Sequence, residues 1–528
     1  MKKINILLAL TGVAFMLTSC DDYLDTLPDD RAEVDTQEDV SKLLVSAYST
    51  NSAVLMMEMA SDNVDDNGAQ YSTYPGIDEM YRFKDVTSEF NDDPRSFWNG
   101  CYRSVATANE ALASIREMGE PKELNPQKAE ALLCRALGMF QLSNVFCMAY
   151  DPAKSNEYLG LPYPLEPEQK IGTEYERGTL EELYAHINAD IEEALPLMDD
   201  GYMSTPKYHL NMKAAYAFAA RFNLYYHKYD QVIKYATLAL GSNPTAYLRN
   251  WAPYMELGSQ DTYNRYIQSS ENCNFLLLTA YSIAGRTLNA GAYLRYAHND
   301  DILGYETFWA RSPWAYSNST SSNNLLYMAH TLYGNERITL LPKMFETFEY
   351  TDKVNGTGYA HIVDTYFTGD ETLLCRAEAY ALRNEGTDSL KALADINTWC
   401  STNLEPSYDQ MTRQDYTIDY LNRFMRSTIY SAVTPETAAL RTIKKVLHPQ
   451  GFSVEAGNQE TLIQMILHMR RVTTMHQGLR FMDLKRYGIE YTHFVDKEEP
   501  IVFKAGDLRG AYQLPVDVRT AGLEANPR

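Results

Sequence analysis

The sequence predicts a mainly α protein, a scaffold of tetratricopeptide-like helix pairs carrying one long irregular, aromatic-rich insertion. Three observations predict it. Apolar residues recur at helical spacing through the first half of the chain and its last quarter. Residues 211–244 place small residues at the intervals of an antiparallel helix-turn-helix repeat. Between residues 245 and 334 the periodicity fails.

The chain opens on an export signal. Lys2 and Lys3 precede an apolar run over residues 4–17, too short to span a bilayer, and small residues then lead into Cys20. This is a lipobox: residues 1–19 are a signal peptide, and the Cys20 thiol is the predicted acyl acceptor. Residues 20–35, with Asp21, Asp22, Asp25, Asp29, Asp30, Glu33 and Asp35, read as an acidic tether. Residues 36–528 then form one predicted domain, which starts where Thr36 and Asp39 set a capping pattern.

A helix over 94–118 places Trp98, Cys101, Tyr102, Val105, Ala108, Leu112 and Ile115 on one face. Asn125-Pro126 begins the next, running to about Tyr150. A proline-rich loop over 150–178 follows, and Thr179 with Glu182 caps a helix through Leu195. Asn211 caps a helix bearing Tyr216 and Ala220, and a turn at Lys228-Tyr229 leads to a second bearing Val232, Ala236 and Ala239. Residues 373–404 read as another pair hinged at Gly386, and 128–195 as a pair split by the long loop. The insertion at 245–334 holds Trp251, Trp309 and Trp314, three of the five tryptophans. Within it only residues 273–283 read as a strand, and residues 318–324 as an exposed tip. Long irregular segments of this kind are usually functional.

Composition excludes several classes. A formal charge of −23 argues against nucleic acid and against adhesion to anionic lipid. After Cys20, six cysteines remain (Cys101, Cys134, Cys147, Cys273, Cys375 and Cys400) with no metal-binding spacing, and they read as buried thiols with at most one disulfide. HExxH, GxSxG and phosphate-loop motifs are absent from the sequence. Asn63-x-Asp65-x-Asn67-Gly68 begins like a calcium loop, yet its twelfth position is Tyr74 where a bidentate Glu is required, so it reads as a turn with Asx chemistry, with calcium as the alternative. His298-Asn299-Asp300-Asp301 reads as a polar loop tip, with a cation site as the alternative. No cofactor or metal is expected. A glycosidase carboxylate pair is recognised by its separation across a sugar, which sequence does not give.

Near the C-terminus, Arg470-Arg471 is followed by the segment His476-Gln477-Gly478-Leu479-Arg480-Phe481-Met482-Asp483-Leu484-Lys485-Arg486-Tyr487-Gly488, and the chain ends Asn526-Pro527-Arg528. This resembles the SusD/RagB family of outer-membrane nutrient-binding lipoproteins, with its "EGxRxxDLKRxG" segment after paired arginines and its "NPR" ending. His476-Gln477 stands where that family has an acidic residue. Gly160-Leu161-Pro162-Tyr163, and Trp98 followed by Tyr102 and Ala108-Asn109, match further family segments. The charges in 470–486 read as structural, locking the C-terminal segment down.

The resemblance implies a non-enzymatic, surface-exposed, lipid-anchored outer-membrane protein. It would capture glycans, or in some branches peptides, and deliver them to a SusC-like TonB-dependent transporter barrel. A surface glycoside hydrolase on a helical scaffold is the alternative from another class. Loop aromatics with amide neighbours suit a sugar, which has an apolar face and a hydroxyl rim. The candidate ligand-binding residues are Asn67, Tyr71, Tyr74, Trp98, Tyr296, Trp309, Trp314 and Tyr316. Trp98 lies on an apolar helix face, where core packing competes with ligand stacking.

Overall fold

The computed structural model describes residues 34–168, 175–289, 294–316 and 323–528. Cys20, the tether before residue 34 and residues 318–322 of the expected loop tip lie outside the described residues.

The fold is mainly helical. α1 (Gln37–Leu44), α2 (Val54–Met59) and α3 (Pro75–Tyr81) lead into two long helices, α4 (Pro94–Glu117) and α5 (Asn125–Phe146). α6 (Leu180–Ala194), α7 (Met212–Tyr225) and α8 (Tyr229–Leu240) complete the first half. Then come α9 (Ser259–Tyr266), α10 (Ala284–Asn289), α11 (Asp300–Tyr305), α12 (Gly369–Arg383), α13 (Asp388–Asn403), α14 (Ile418–Ser427), α15 (Asn458–Thr474), α16 (Arg480–Tyr487) and α17 (Val516–Thr520).

The expected pairs form. α4 packs on α5, α5 on α6 across the proline-rich loop, α7 on α8, and α12 on α8, α13 and α15. The local chemistry explains the boundaries. Asp93 accepts from the Ser96 N–H and Pro94 starts α4, while Thr179 and Glu182 make a full capping box on α6. Ala220 and Ala236 are fully buried, so α7 and α8 meet over small side chains. α12 ends at left-handed Asn384, and Gly386 (φ 52°) turns the chain into α13. Two boundaries differ from expectation. Asn125 is the first helical residue and caps nothing, and α5 stops at Phe146.

Four short strands, β1 (Asp65–Asp66), β3 (Tyr296–Ala297), β4 (Tyr333–Gly334) and β5 (Thr339–Leu340), pair β1 with β3 and β4 with β5. The larger sheet was only half foreseen. β2 (Asn274–Tyr281) is the predicted strand, and it lies against β7 (Thr357–Thr368), which pairs in turn with β6 (Thr347–Asp352). β7 runs straight into α12 through the Thr368 cap, so it joins the sheet to the helical scaffold.

The C-terminal charges are buried and paired. Arg470 bonds Asp483 at 3.0 Å, and Arg486 spans Asp483 (2.7 Å) and Glu378 (2.9 Å). Arg480 holds Asp62 at 2.8 Å, and Lys485 donates to the carbonyls of Asn144, Cys147 and Gly510. Burial alone would raise the Asp62 carboxyl, but Arg471 and Arg480 drive it far below the carboxylate range. The terminal Asn526 donates to the Phe146 and Tyr512 carbonyls and accepts from Arg177. These contacts tie the last residues to α5 and to the long loop. All six cysteines after residue 34 are buried and free.

Candidate functional site: an aromatic face built by two distant loops

The loop after α2 and the insertion after β2 are zipped together. Asp65 pairs with Ala297 and Asp66 with Tyr296, and Ser72 bridges to Leu294. The Asn67 amide donates to two carbonyls, Leu294 at 3.0 Å and Arg337 at 2.7 Å. Arg295 grips both Asp66 oxygens, at 3.0 and 2.9 Å. Asp66 also accepts from the Gly68 N–H at 2.8 Å, which makes the turn an Asx turn. The Asp65 carboxylate is engaged by Arg441 at 2.5 Å, and the Asn63 side chain by Glu58 and Arg471. Three ligand positions of the apparent calcium loop are therefore committed to protein partners.

Zipping the loops leaves aromatics on the outside. Tyr74 and Tyr333 are about half exposed, at 49% and 53%. The Arg337 guanidinium lies 4.6 Å from the Tyr71 ring centroid, a cation–π contact that fixes the ring plane. Asn335 donates to the Tyr333 hydroxyl at 3.0 Å. Arg286 makes a bidentate pair with Glu346 and reaches the Tyr74 hydroxyl. Arg286, Glu346, Tyr333, Ser259 and Gln260 border a hollow of about 390 Å³. Flat rings beside amide, guanidinium and carboxylate groups can cover the apolar face of a ring-shaped polar ligand and bond its rim.

The candidate residues separate into distinct places. Tyr71 and Tyr74 lie on this face, and Asn67 is the clasp beneath it. Tyr296 is 2% exposed, stacked 3.9 Å from Tyr81, with its hydroxyl on Asp78 at 2.5 Å. It supports the face from below and offers no open ring. Trp309 is half-buried and borders Gly334, beside Tyr333. Trp314 is a correction: at 1% exposure it stacks on His468 (5.4 Å) and packs at a tilt against Trp399 (5.6 Å), so it is core. Tyr316 is 66% exposed but neighbours Tyr416 and Tyr420, away from this face.

Trp98 also leaves the site. It packs on Tyr102 (4.8 Å) and Phe146 (5.2 Å) and lines a separate groove with Pro162, Pro164 and Tyr175. The His298 segment is no exposed tip, because His298 is buried and bonded to the Asn63 carbonyl and the Thr307 hydroxyl, both at 2.9 Å. Asn324 is buried too, donating to the Phe308 carbonyl. Sequence reasoning missed Arg286, Arg337 and Glu346. The last two fall beyond the insertion boundary set at residue 334, and nothing in their spacing marks them.

Residues 22–224 match the SusD-like family model described as starch-binding associating with outer membrane. Over these residues the chain is similar in sequence to the SusD-like family. That sequence match covers the first part of the chain, and the fold carries the likeness through the rest. A SusD superfamily protein of Bacteroides thetaiotaomicron superposes with a TM-score of 0.58 at 18% identity, covering 93% of this chain and 99% of that one. One from Bacteroides fragilis gives 0.59 at 15% identity, over 91% and 96%. A SusD-like carbohydrate binding protein of Bacteroides vulgatus gives 0.56 at 15%, over 92% and 96%. No curated protein matches the chain. Among the described residues no helix is long and apolar enough to cross a membrane.

Proposed function

We propose that this SusD-like chain captures oligosaccharides on the outer face of the outer membrane without cleaving them. The observation that carries the reading is the group of exposed Tyr74 and Tyr333 with half-buried Tyr71, set among Arg286, Arg337 and Glu346 where two loops far apart in sequence are clasped. The starch-binding description of the matched family model and the carbohydrate-binding relative support a glycan as ligand. In this reading Cys20 carries the lipid, residues 20–35 form a tether, and residues 36–528 act as one binding domain. A TonB-dependent barrel receives the ligand.

The test is calorimetric titration of the acyl-free mature protein with defined oligosaccharides, paired with a reducing-sugar assay. Expected is saturable binding in the micromolar to millimolar range, about 4–8 kcal/mol, with no sugar released. At that strength one stacked ring is a large share of the total, so Tyr74→Ala should lower affinity at least tenfold with an unchanged melting temperature. Release of reducing sugar in proportion to protein would overturn the non-enzymatic reading. Binding of peptides alone would replace the ligand class and leave capture standing.

A further inference from the structure

Side chains that the strand register sets opposite one another share a face of the sheet. Leu278, Ala280 and Asp364 share the inner face and line a cavity with Met57 of α2, Phe97 of α4 and Asn144 of α5. Tyr281 of β2 stands opposite His361 of β7, and Glu349 of β6 opposite Tyr359. Tyr359 and His361 alternate along β7, so these four side chains share the outer face. None of them is buried, and Tyr359 is 52% exposed. The backbone beneath them is closely built. A Cβ at Gly358 would lie 1.9 Å from the Glu349 carbonyl oxygen, so glycine there lets β6 and β7 close up. The Tyr281 N–H donates to the Thr50 carbonyl at 2.8 Å, which ties the end of β2 to the loop before α2.

These four side chains make an aromatic platform with a polar edge. Tyr281 meets Tyr359 edge to face, with ring centroids 5.3 Å apart. The His361 imidazole stacks on the Tyr281 ring, also at 5.3 Å and 11° from parallel. His361 Nε2 lies 3.0 Å from one Glu349 oxygen, and the Glu349 side chain is 59% exposed, so its other oxygen is open to donors from solvent. Thr279 of β2 and Thr347 of β6 add exposed hydroxyls on either side of β7. A protein partner that buries an apolar core would find Val363 as the aliphatic side chain on this stretch of the face. A sugar ring, apolar on its face and hydroxylated at its rim, matches the whole set.

We propose that this outer sheet face is a second sugar-binding platform, taking a short stretch of a neutral glycan chain. A sugar ring stacks on Tyr359, and hydroxyls on its rim donate to the open Glu349 oxygen. The same carboxylate repels chains that carry uronate or sulfate groups. The inference rests on the capture reading and adds a second place for the same ligand class. Glu346, on the loop face, and Glu349 are three residues apart, about 10 Å along an extended chain. A long glycan then has two weak sites within reach, and engaging both retains it more strongly than either alone.

The test is affinity electrophoresis of the acyl-free mature protein in native gels containing amylopectin, galactomannan, mixed-linkage β-glucan or polygalacturonate. Expected is retardation by at least one neutral polysaccharide and none by polygalacturonate. Tyr359→Ala should weaken binding of that neutral polysaccharide about tenfold at an unchanged melting temperature. Glu349→Gln should weaken it too, which keeps the test decisive if Tyr359→Ala folds poorly. Parent-like retardation of both variants, with Tyr74→Ala weakened, overturns the platform and leaves the loop face standing. A weakened Tyr359→Ala beside a parent-like Tyr74→Ala upholds the platform and removes the loop face. No retardation of the parent by any neutral chain overturns both, and equal retardation by polygalacturonate overturns the neutral ligand class. A Tyr359→Ala protein that loses self-association in sedimentation, with retardation unchanged, makes this face a contact between copies and overturns the proposal.

Discussion

At the scale of single residues, burial decides what an aromatic or ionisable side chain can do. Trp314 and Tyr74 are both loop aromatics in the sequence, yet one is 1% exposed against Trp399 and His468 and the other is 49% exposed. Trp314→Ala should therefore destabilise by about 3–5 kcal/mol through the cavity it leaves, measured by urea unfolding, while Tyr74→Ala stays near zero. The same reasoning sets a pH dependence for His298. Burial pulls its folded-state pKa down to about 3, from an ordinary value near 6.5. The folded state then refuses a proton that the unfolded state accepts. Its contribution is fully present above about pH 6.5 and is lost as pH falls toward 3, with a ceiling on the order of 4 kcal/mol. His298→Asn should show a flatter loss of melting temperature between pH 7 and pH 4 than the parent; parallel curves would mean that His298 already titrates normally in the fold.

At the scale of elements, what was legible was whatever local chemistry dictates. The caps at Thr36, Thr179 and Asn211, and the small residues at the α7–α8 contact, are sequence-local, and the elements they predict are present. Ala236→Leu should cost about 1–3 kcal/mol, since α8 has no room to retreat from α7. β7 was not legible, because its pairing partner β2 lies some 80 residues earlier and its burial pattern does not alternate cleanly. The aromatic face was half legible for the same reason. Tyr71 and Tyr74 stand in a recognisable polar loop, whereas Arg337 reaches Tyr71 only because the Asn67 amide holds the Arg337 and Leu294 carbonyls. Asn67→Ala leaves both carbonyls without that donor. It should cost about 1–3 kcal/mol and, unlike Tyr74→Ala, should lower ligand affinity and melting temperature together.

At the scale of the whole molecule, the helical pairs form the scaffold and the two clasped loops one face on it. Buried pairs such as Arg480–Asp62 and Arg177–Asn526 fasten the C-terminal segment to residues hundreds of positions earlier, so the chain closes on itself around α5. In the proposed reading anchoring and binding are separable, because the proposed binding face is assembled from residues after position 60, while the proposed acyl acceptor, Cys20, precedes an acidic stretch. A single acyl chain gives only marginal membrane affinity, so stable retention needs more than one chain on the new N-terminus. Cys20→Ala should then move the protein from the membrane fraction to the soluble fraction while its oligosaccharide affinity stays within twofold of the parent. Fractionation and titration of the same preparation check both halves. Retention of the variant on membranes free of any transporter would refute the lipid anchor, and loss of affinity in a soluble, fully folded variant would show that the tether takes part in the binding face.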